Sequence, residues 1–289
     1  RATSEFKPST TPLLEVSQLS RHYSLPSLFR KKNSDLTVLN SVSFTQYKGE
    51  IIGLVGESGS GKTTLGRILA GLDGADSGSV TLNGQLWHLP APCHPQRHTV
   101  QMIFQDPYSS LNPRRTVADI LAQPLQITAL REHGKMLSSA ELQAAIRQLM
   151  KQTEIPAELA SRFPVQLSGG QRQRVVIARA LAMKPGLIIA DEAVSALDIT
   201  TQRSIIRLLI RLREHYGLSI LFISHDLDAV AALCDRVLVL QNGDIVEQGT
   251  TEQIFRQPRH EWTRRLLSAI PGAPYHPDKE VPDDAVFTL

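Results

Sequence analysis

Residues 56–63 read GESGSGKT, directly after the apolar run IIGLV at 51–55 and directly before TLGRILAGL at 64–72. A short apolar run that meets a glycine reads as a buried strand, and the segment after the loop has helical spacing. A glycine loop between such a strand and helix fits G-x-x-x-x-G-K-[ST] in the context that pattern requires. Glycines let backbone N–H groups converge on phosphate oxygens, and the helix N-terminus adds partial positive charge. Gly56, Ser58, Gly59, Ser60, Gly61 and Thr64 are then the phosphate cradle. Lys62 reaches the β- and γ-phosphates of a nucleotide, and the Thr63 hydroxyl holds Mg²⁺.

Two later strands end in chemistry. LIIADE, 187–192, is an apolar strand closing on two carboxylates. The C-terminal ends of parallel strands are where open α/β sheets bind ligands. Asp191 is placed to hold Mg²⁺ through its water shell, and Glu192 to polarise an attacking water. LFISHD, 221–226, repeats the geometry, setting His225 on the same edge, toward the γ-phosphate or the water. A third strand-like run, QMIFQDP at 101–107, brings Gln105, whose neutral amide can bind Mg²⁺ or water.

LSGGQRQRV, 167–175, is a second glycine-bearing stretch. It is too polar for a core strand, and each glycine inside a helix costs about 1 kcal/mol relative to Ala. It reads as a Ser-Gly-Gly loop that opens the helix VIARAL, with N–H donors aimed at an anion.

The rest of the chain sets the frame. It has 289 residues, 42% hydrophobic and 20% charged, with a net charge of +3 and basic residues scattered along its length. That balance gives no argument for nucleic acid. Cys93 and Cys234 are far apart and form no metal or redox spacing, which fits a reducing, cytosolic setting. No apolar run approaches the roughly 20 residues that cross a bilayer, so any membrane span comes from another chain. RATSEFKPSTTP, 1–12, reads as a linker or expression remnant, and the chain as part of a longer polypeptide. LLEVSQL at 13–19, LTVLNSVSFTQ at 36–46 and GSVTLNG at 78–84 read as strands, with RKKNSD at 30–35 a polar loop. Residues 116–182 are helical in spacing, with Ser138 or Ser139 an N-cap followed by Glu141. Strands at 187–191, 219–223 and 236–240 alternate with helices at 201–214 and 226–233. That is a βαβαβ run and a parallel sheet, followed by a hairpin-like element at 242–249. HLPAPCHPQRH, 88–98, carries too many prolines to converge on a metal and reads as an exposed loop.

In order, GESGSGKT, the glutamine after an apolar strand, LSGGQ, ADE, SALD and SHD resemble an ATP-binding cassette (ABC) ATPase over about residues 13–270. MIFQDPYSSLNPR at 102–114 and HEWTRRLLSAIPG at 260–272 are similar to the oligopeptide, dipeptide and nickel importer ATPases. The resemblance implies an α/β fold: a P-loop NTPase (RecA-like) core with a parallel sheet, an antiparallel β subdomain and an inserted α-helical subdomain. It implies a nucleotide-binding domain over 13–250, with the helical subdomain at about 106–182, and a C-terminal extension over 251–289. It implies ATP and Mg²⁺, the latter held by Thr63, Gln105 and Asp191, with Glu192, His225 and Gln105 catalytic. Ser168, Gly169, Gly170 and Gln171 would close over ATP held by a second cassette, identical, homologous or fused, and Asp198 of SALD would couple the two sites. Tyr23 in SRHYSL would stack on adenine. Partners would be that cassette, two transmembrane permease subunits and, indirectly, an extracytoplasmic substrate-binding protein, with no nucleic acid. The chain would be peripheral, on the cytoplasmic face of the inner membrane, powering import of peptides or related small solutes.

An exporter ATPase and a soluble cassette protein acting on ribosomes or DNA are the alternatives. SSLNPR and TRRLLSAIP resemble the importer side, and neither a charged linker between two cassettes nor a long coiled coil is present in this sequence. Two departures stand out. Ala193 follows Glu192 where the family often has proline, which frees one φ angle and loosens the loop. The tail has no cysteine, so no iron–sulfur cluster is expected there.

Overall fold

The apolar runs resolve into two sheets in the computed structural model, which describes residues 9–24, 35–87 and 96–268. Strands β1 (Pro12–Ser24), β2 (Asp35–Tyr47), β4 (Ser77–Leu82) and β5 (Gln85–Leu86) form an antiparallel sheet in the order β2-β1-β4-β5. Strands β3 (Ile51–Val55), β6 (Val100–Ile103), β7 (Leu187–Asp191), β8 (Ser219–Ile223), β9 (Arg236–Gln241) and β10 (Asp244–Thr250) form the larger sheet, in the order β10-β9-β3-β8-β7-β6. Its ladders are parallel except β9–β10. The expected βαβαβ run is there, but β3 inserts between its second and third strands.

Period-2 alternation explains how one strand serves two cores. Ile52 and Leu54 of β3 pack with Leu14, Val16, Phe44, Ile189, Leu221, Ile223, Leu238 and Leu240, filling the space toward the antiparallel sheet. Ile51 and Val55 face the other way, with Ile188, Ala190, Ile220, Phe222, Val237 and Val239, toward the helices. Buried on both faces, these strands are continuous apolar runs, as a parallel sheet requires. Each fully buried side chain of this size contributes about 1.5–3 kcal/mol.

The α-helices among the described residues are α1 (Lys62–Leu69), α2 (Pro107–Ser110), α3 (Val117–His133), α4 (Ser139–Gln152), α5 (Gly169–Ala182), α6 (Ile199–Tyr216), α7 (Leu227–Leu233), α8 (Thr251–Arg256) and α9 (Glu261–Ser268). Capping boxes start α3 at Thr116/Asp119, α4 at Ser138/Glu141, α5 at Ser168/Gln171 and α8 at Thr250/Gln253. Each satisfies two backbone donors that a helix start leaves open.

The structure shifts three expectations. β1 runs five residues past the expected Leu19, because bulges near Gln18 (φ 50°) and Ser41 (φ 53°) break the alternation without ending the ladder. The strand-like run at 101–105 stops at Ile103, so Gln105 lies in a loop. Gly169 and Gly170 form the first turn of α5 rather than a loop before it. Cys93, most of 88–98, most of RKKNSD and residues from 269 onward lie outside the described residues, as do residues 1–8.

Candidate nucleotide site

The loop 56–61 joins central strand β3 to α1, and its shape is forced from behind. Gly61, with φ 104°, is the N-cap of α1 and offers no side-chain cap, so the donors of the first turn stay available. A Cβ on Gly61 would stand 2.6 Å from the Val38 carbonyl oxygen, and only glycine fits. The turn between β9 and β10 floors the loop, as the Gly243 N–H donates to the Ser60 carbonyl at 3.0 Å. The Ser60 hydroxyl is buried and has no hydrogen-bond partner among the described residues.

Lys62 is folded back into this loop. Its Nζ donates to the carbonyls of Gly56 at 2.7 Å and Glu57 at 2.9 Å, and the residue is only 8% exposed. Burial pushes its pKa below the usual lysine value, with Glu192 and Asp191 opposing the shift. Thr63 Oγ1 lies 3.4 Å from Asp191 Oδ1 at the end of β7. Burial holds the Asp191 carboxyl above its ordinary range, against the Thr63 hydrogen bond. Glu192 is next along the chain in left-handed backbone (φ 51°), with its N–H donating to the Ile223 carbonyl at 2.9 Å. That turn swings its carboxylate to 2.9 Å from His225 Nδ1, pairing a largely buried acid with an exposed imidazole. The loop behind it is closed, because the Ser195 N–H and hydroxyl both donate to the Glu192 carbonyl and Ala193 is buried. Where a proline would have fixed one φ angle, the Ser195 hydrogen bonds tie this loop.

A second group gathers at the starts of α5 and α6. Ser168 Oγ accepts from the Gln171 N–H at 3.2 Å, and Gln171 Oε1 accepts from the Ser168 N–H at 2.9 Å. Gln171, expected as a nucleotide contact, thus has its side-chain oxygen engaged in the cap. Asp198 caps α6 through Thr201, and those hydrogen bonds hold its carboxyl below the usual range. The two helix starts touch: a Cβ on Gly170 would sit 2.4 Å from Thr201 Cγ2, and one on Gly169 3.3 Å from Leu197 Cδ2. Here glycine is required by close approach, not by φ.

Two expected residues stand apart. Gln105 is exposed, and its amide makes no hydrogen bond among the described residues; β6 sets it near the site, as Ile103 pairs with Ala190. Tyr23 is exposed near the end of β1, with the Arg21 guanidinium 4.8 Å from its ring centroid. Asp76 holds Arg21 at 3.2 Å and accepts from the His22 N–H. Sequence reading missed Asp76, since nothing local marks a partner 55 residues away. It also missed Asp226, which caps α7 and accepts from Gln202 of α6. The short polar pair before an apolar run was the available signal.

Comparison with known proteins bears on this arrangement. A family profile described as ABC transporter matches residues 39–195. A Brucella ovis protein named as a peptide import ATP-binding protein is 43% identical over 264 residues, covering 91% of this chain and 80% of that protein. The glutathione import ATP-binding protein GsiA of Escherichia coli O6:H1 is 43% identical over 280 residues; the match covers 96% of this chain and 44% of GsiA. Among solved structures, an ATP-binding cassette captured as a dimer after hydrolysis, with ADP and phosphate, superposes with a TM-score of 0.69 at 26% identity, covering 83% of this chain and 99% of that one. A cassette from Clostridium perfringens, part of an ABC transporter complex, gives 0.72 at 25% identity, covering 89% and 95%.

Proposed function

The chain belongs to the ATP-binding cassette transporter family, and from that premise we propose that it hydrolyses ATP to drive peptide import through a membrane transporter. The observation that carries this reading is the convergence at one sheet edge of an uncapped helix start, Lys62, the Thr63–Asp191 pair and the Glu192–His225 pair. Lys62 exchanges its carbonyl partners for the β- and γ-phosphates, beside N–H groups of Gly59 to Thr64. Tyr23 stacks on adenine. Thr63, Asp191 and Gln105 present oxygen donors of the kind Mg²⁺ takes, and the first two already converge. Mg²⁺, when bound, offsets charge on the phosphates. Glu192 accepts the proton of the attacking water, and His225 fixes that carboxylate and meets the γ-phosphate or the water.

Ser168, Gly169, Gly170 and Gln171 close over ATP held by a second cassette, identical, related or fused, with Asp198 coupling the two sites. The dimeric neighbour supports that pairing. ATP favours the closed pair and hydrolysis the open one. The nucleotide-binding domain spans 13–250, and its helical part, about 106–182, carries the groove that docks on a transmembrane partner at the cytoplasmic face of the inner membrane, in an assembly with two permease subunits. The extension from 251 begins with α8 and α9. No described helix is long and apolar enough to cross a membrane. An extracytoplasmic binding protein hands cargo to the permeases, and no nucleic acid takes part. Peptide cargo is supported by the names of the Brucella and Escherichia relatives.

The test is capture of the chain from solubilised membranes, identification of the bound chains, and ATPase assay with peptides. Two permeases and peptide-stimulated hydrolysis are expected; ribosomal proteins or DNA-repair factors in their place would overturn the reading.

A further inference from the structure

Behind the two helix starts that carry Ser168 and Asp198, a carboxylate from the end of α4 ties α5 to α6. Glu154 lies two residues past α4 with φ 55°, backbone that favours glycine and strains other side chains. Its carboxylate lies 3.4 Å from Arg174 Nη2 on α5 and pairs with Arg211 on α6. Arg174 Nη2 also donates to Ser204 Oγ on α6 at 2.7 Å. Arg174 sits one turn inside α5 from Gly170, and Ser204 one turn inside α6 from Thr201. The network therefore lies directly behind the Gly170–Thr201 contact.

We propose that Glu154 is a positioning residue: through Arg174 it sets the spacing between the α5 and α6 starts, and so the geometry this chain presents to nucleotide held by the partner cassette. The proposal rests on the reading of Ser168 and Asp198 as partner-facing. Stability alone gives Glu154 little reason to be there. Its side chain is 39% exposed and that of Arg211 52%, and ion pairs so open to water stabilise a fold weakly. Glycine would fit the backbone without strain. The arm to Arg174 differs, because that guanidinium is 16% exposed, is shared with Ser204 and spans two helices. Small shifts in such a tie alter alignment at the helix starts more than they alter the folded population.

The test is Glu154→Gly in the full chain. The thermal midpoint should equal or exceed that of the wild type, and a fluorescent ATP analogue should bind the isolated chain as before. In the complex assembled with its partners, kcat should fall about two- to tenfold with KM for ATP little changed. Glu154→Asp and Glu154→Asn separate charge from shape, since both residues accept left-handed backbone; Asp should restore part of kcat and Asn should not. An unchanged kcat in Glu154→Gly overturns the proposal, as does equal recovery by Asp and Asn. Loss of analogue binding by the isolated chain also overturns it, because that marks a general folding role. Ser168→Arg in the same assay tests the underlying reading. If it leaves hydrolysis intact, the partner-facing assignment fails and this proposal falls with it.

Discussion

Helices α1 and α5 both begin at glycines beside an expected anion, yet they begin in opposite ways. α1 starts at left-handed Gly61 with no side-chain cap, its lysine turned back onto the loop's own carbonyls. α5 starts at Ser168 with a complete capping box, exposed on its outer side. A helix leaves four N–H groups open at its start. Among the described residues no side chain caps those groups in α1, which fits a loop finished by a ligand. In α5 the cap is closed by Gln171, so the start holds its shape before anything arrives. The difference follows from the tasks. On the function proposed above, one helix captures its own chain's nucleotide, and the other is offered, already formed, to a partner's.

The sharpest way to break this contrast is Ser168→Arg. A long cation at the preformed start should remove hydrolysis by the assembled pair, while the isolated chain still binds a fluorescent ATP analogue through α1. Loss of that binding would show that the two helix starts are not separate in function. Next in size is Glu192→Gln, which keeps shape but cannot accept a proton. Hydrolysis should fall about 10²–10⁴-fold, the usual contribution of a general base, and ATP should stay with the paired cassettes through gel filtration. Wild-type turnover would remove Glu192 from the role. Lys62→Ala should weaken analogue binding roughly tenfold to a hundredfold, since hydrogen bonds from a charged donor contribute about 1.5–3 kcal/mol. Circular dichroism should show the fold intact, and unchanged affinity would reject the phosphate-loop assignment. Smallest is Thr116→Ala, which opens the capping box of α3. Denaturant titration should show a loss of about 1 kcal/mol with ATP binding unaltered. A change in affinity would mean that even a plain cap is coupled to the site.

Much of this was legible in residues 51–63, 187–192 and 219–225, because a strand buried on both faces has to be an unbroken apolar run and its end has to be polar. The start of α4 was legible for a similar reason: Ser138 and Glu141 have the spacing of a reciprocal cap. The same spacing at Ser168 and Gln171 went unread, since two glycines at the first turn look like a loop until their neighbours are known. Leu197 and Thr201 supply the reason for them, and they come from the start of α6 and the residues just before it, about 30 residues on. β1 outran its pattern because bulges shift the side-chain register. The arms from Glu154 reach 20 and 57 residues along the chain, and the strain at its φ is a property of backbone alone. Neither leaves a local trace. Helices α8 and α9 are short, and tertiary contacts rather than propensity hold elements of that length.

The strand order of the larger sheet also has a consequence in time. β3 ends at Val55, but its hydrogen-bonding neighbours are β8, beginning at Ser219, and β9, beginning at Arg236. At ordinary synthesis rates the ribosome needs roughly 10–40 s to cover that interval. Throughout it, IIGLV is an apolar strand with neither edge paired, and the turn that floors the phosphate loop has not yet been made. The nucleotide loop is thus synthesised well before the strands and the turn that make it usable. A nascent chain halted before Gly243 should fail to bind ATP even though every residue of GESGSGKT has long emerged.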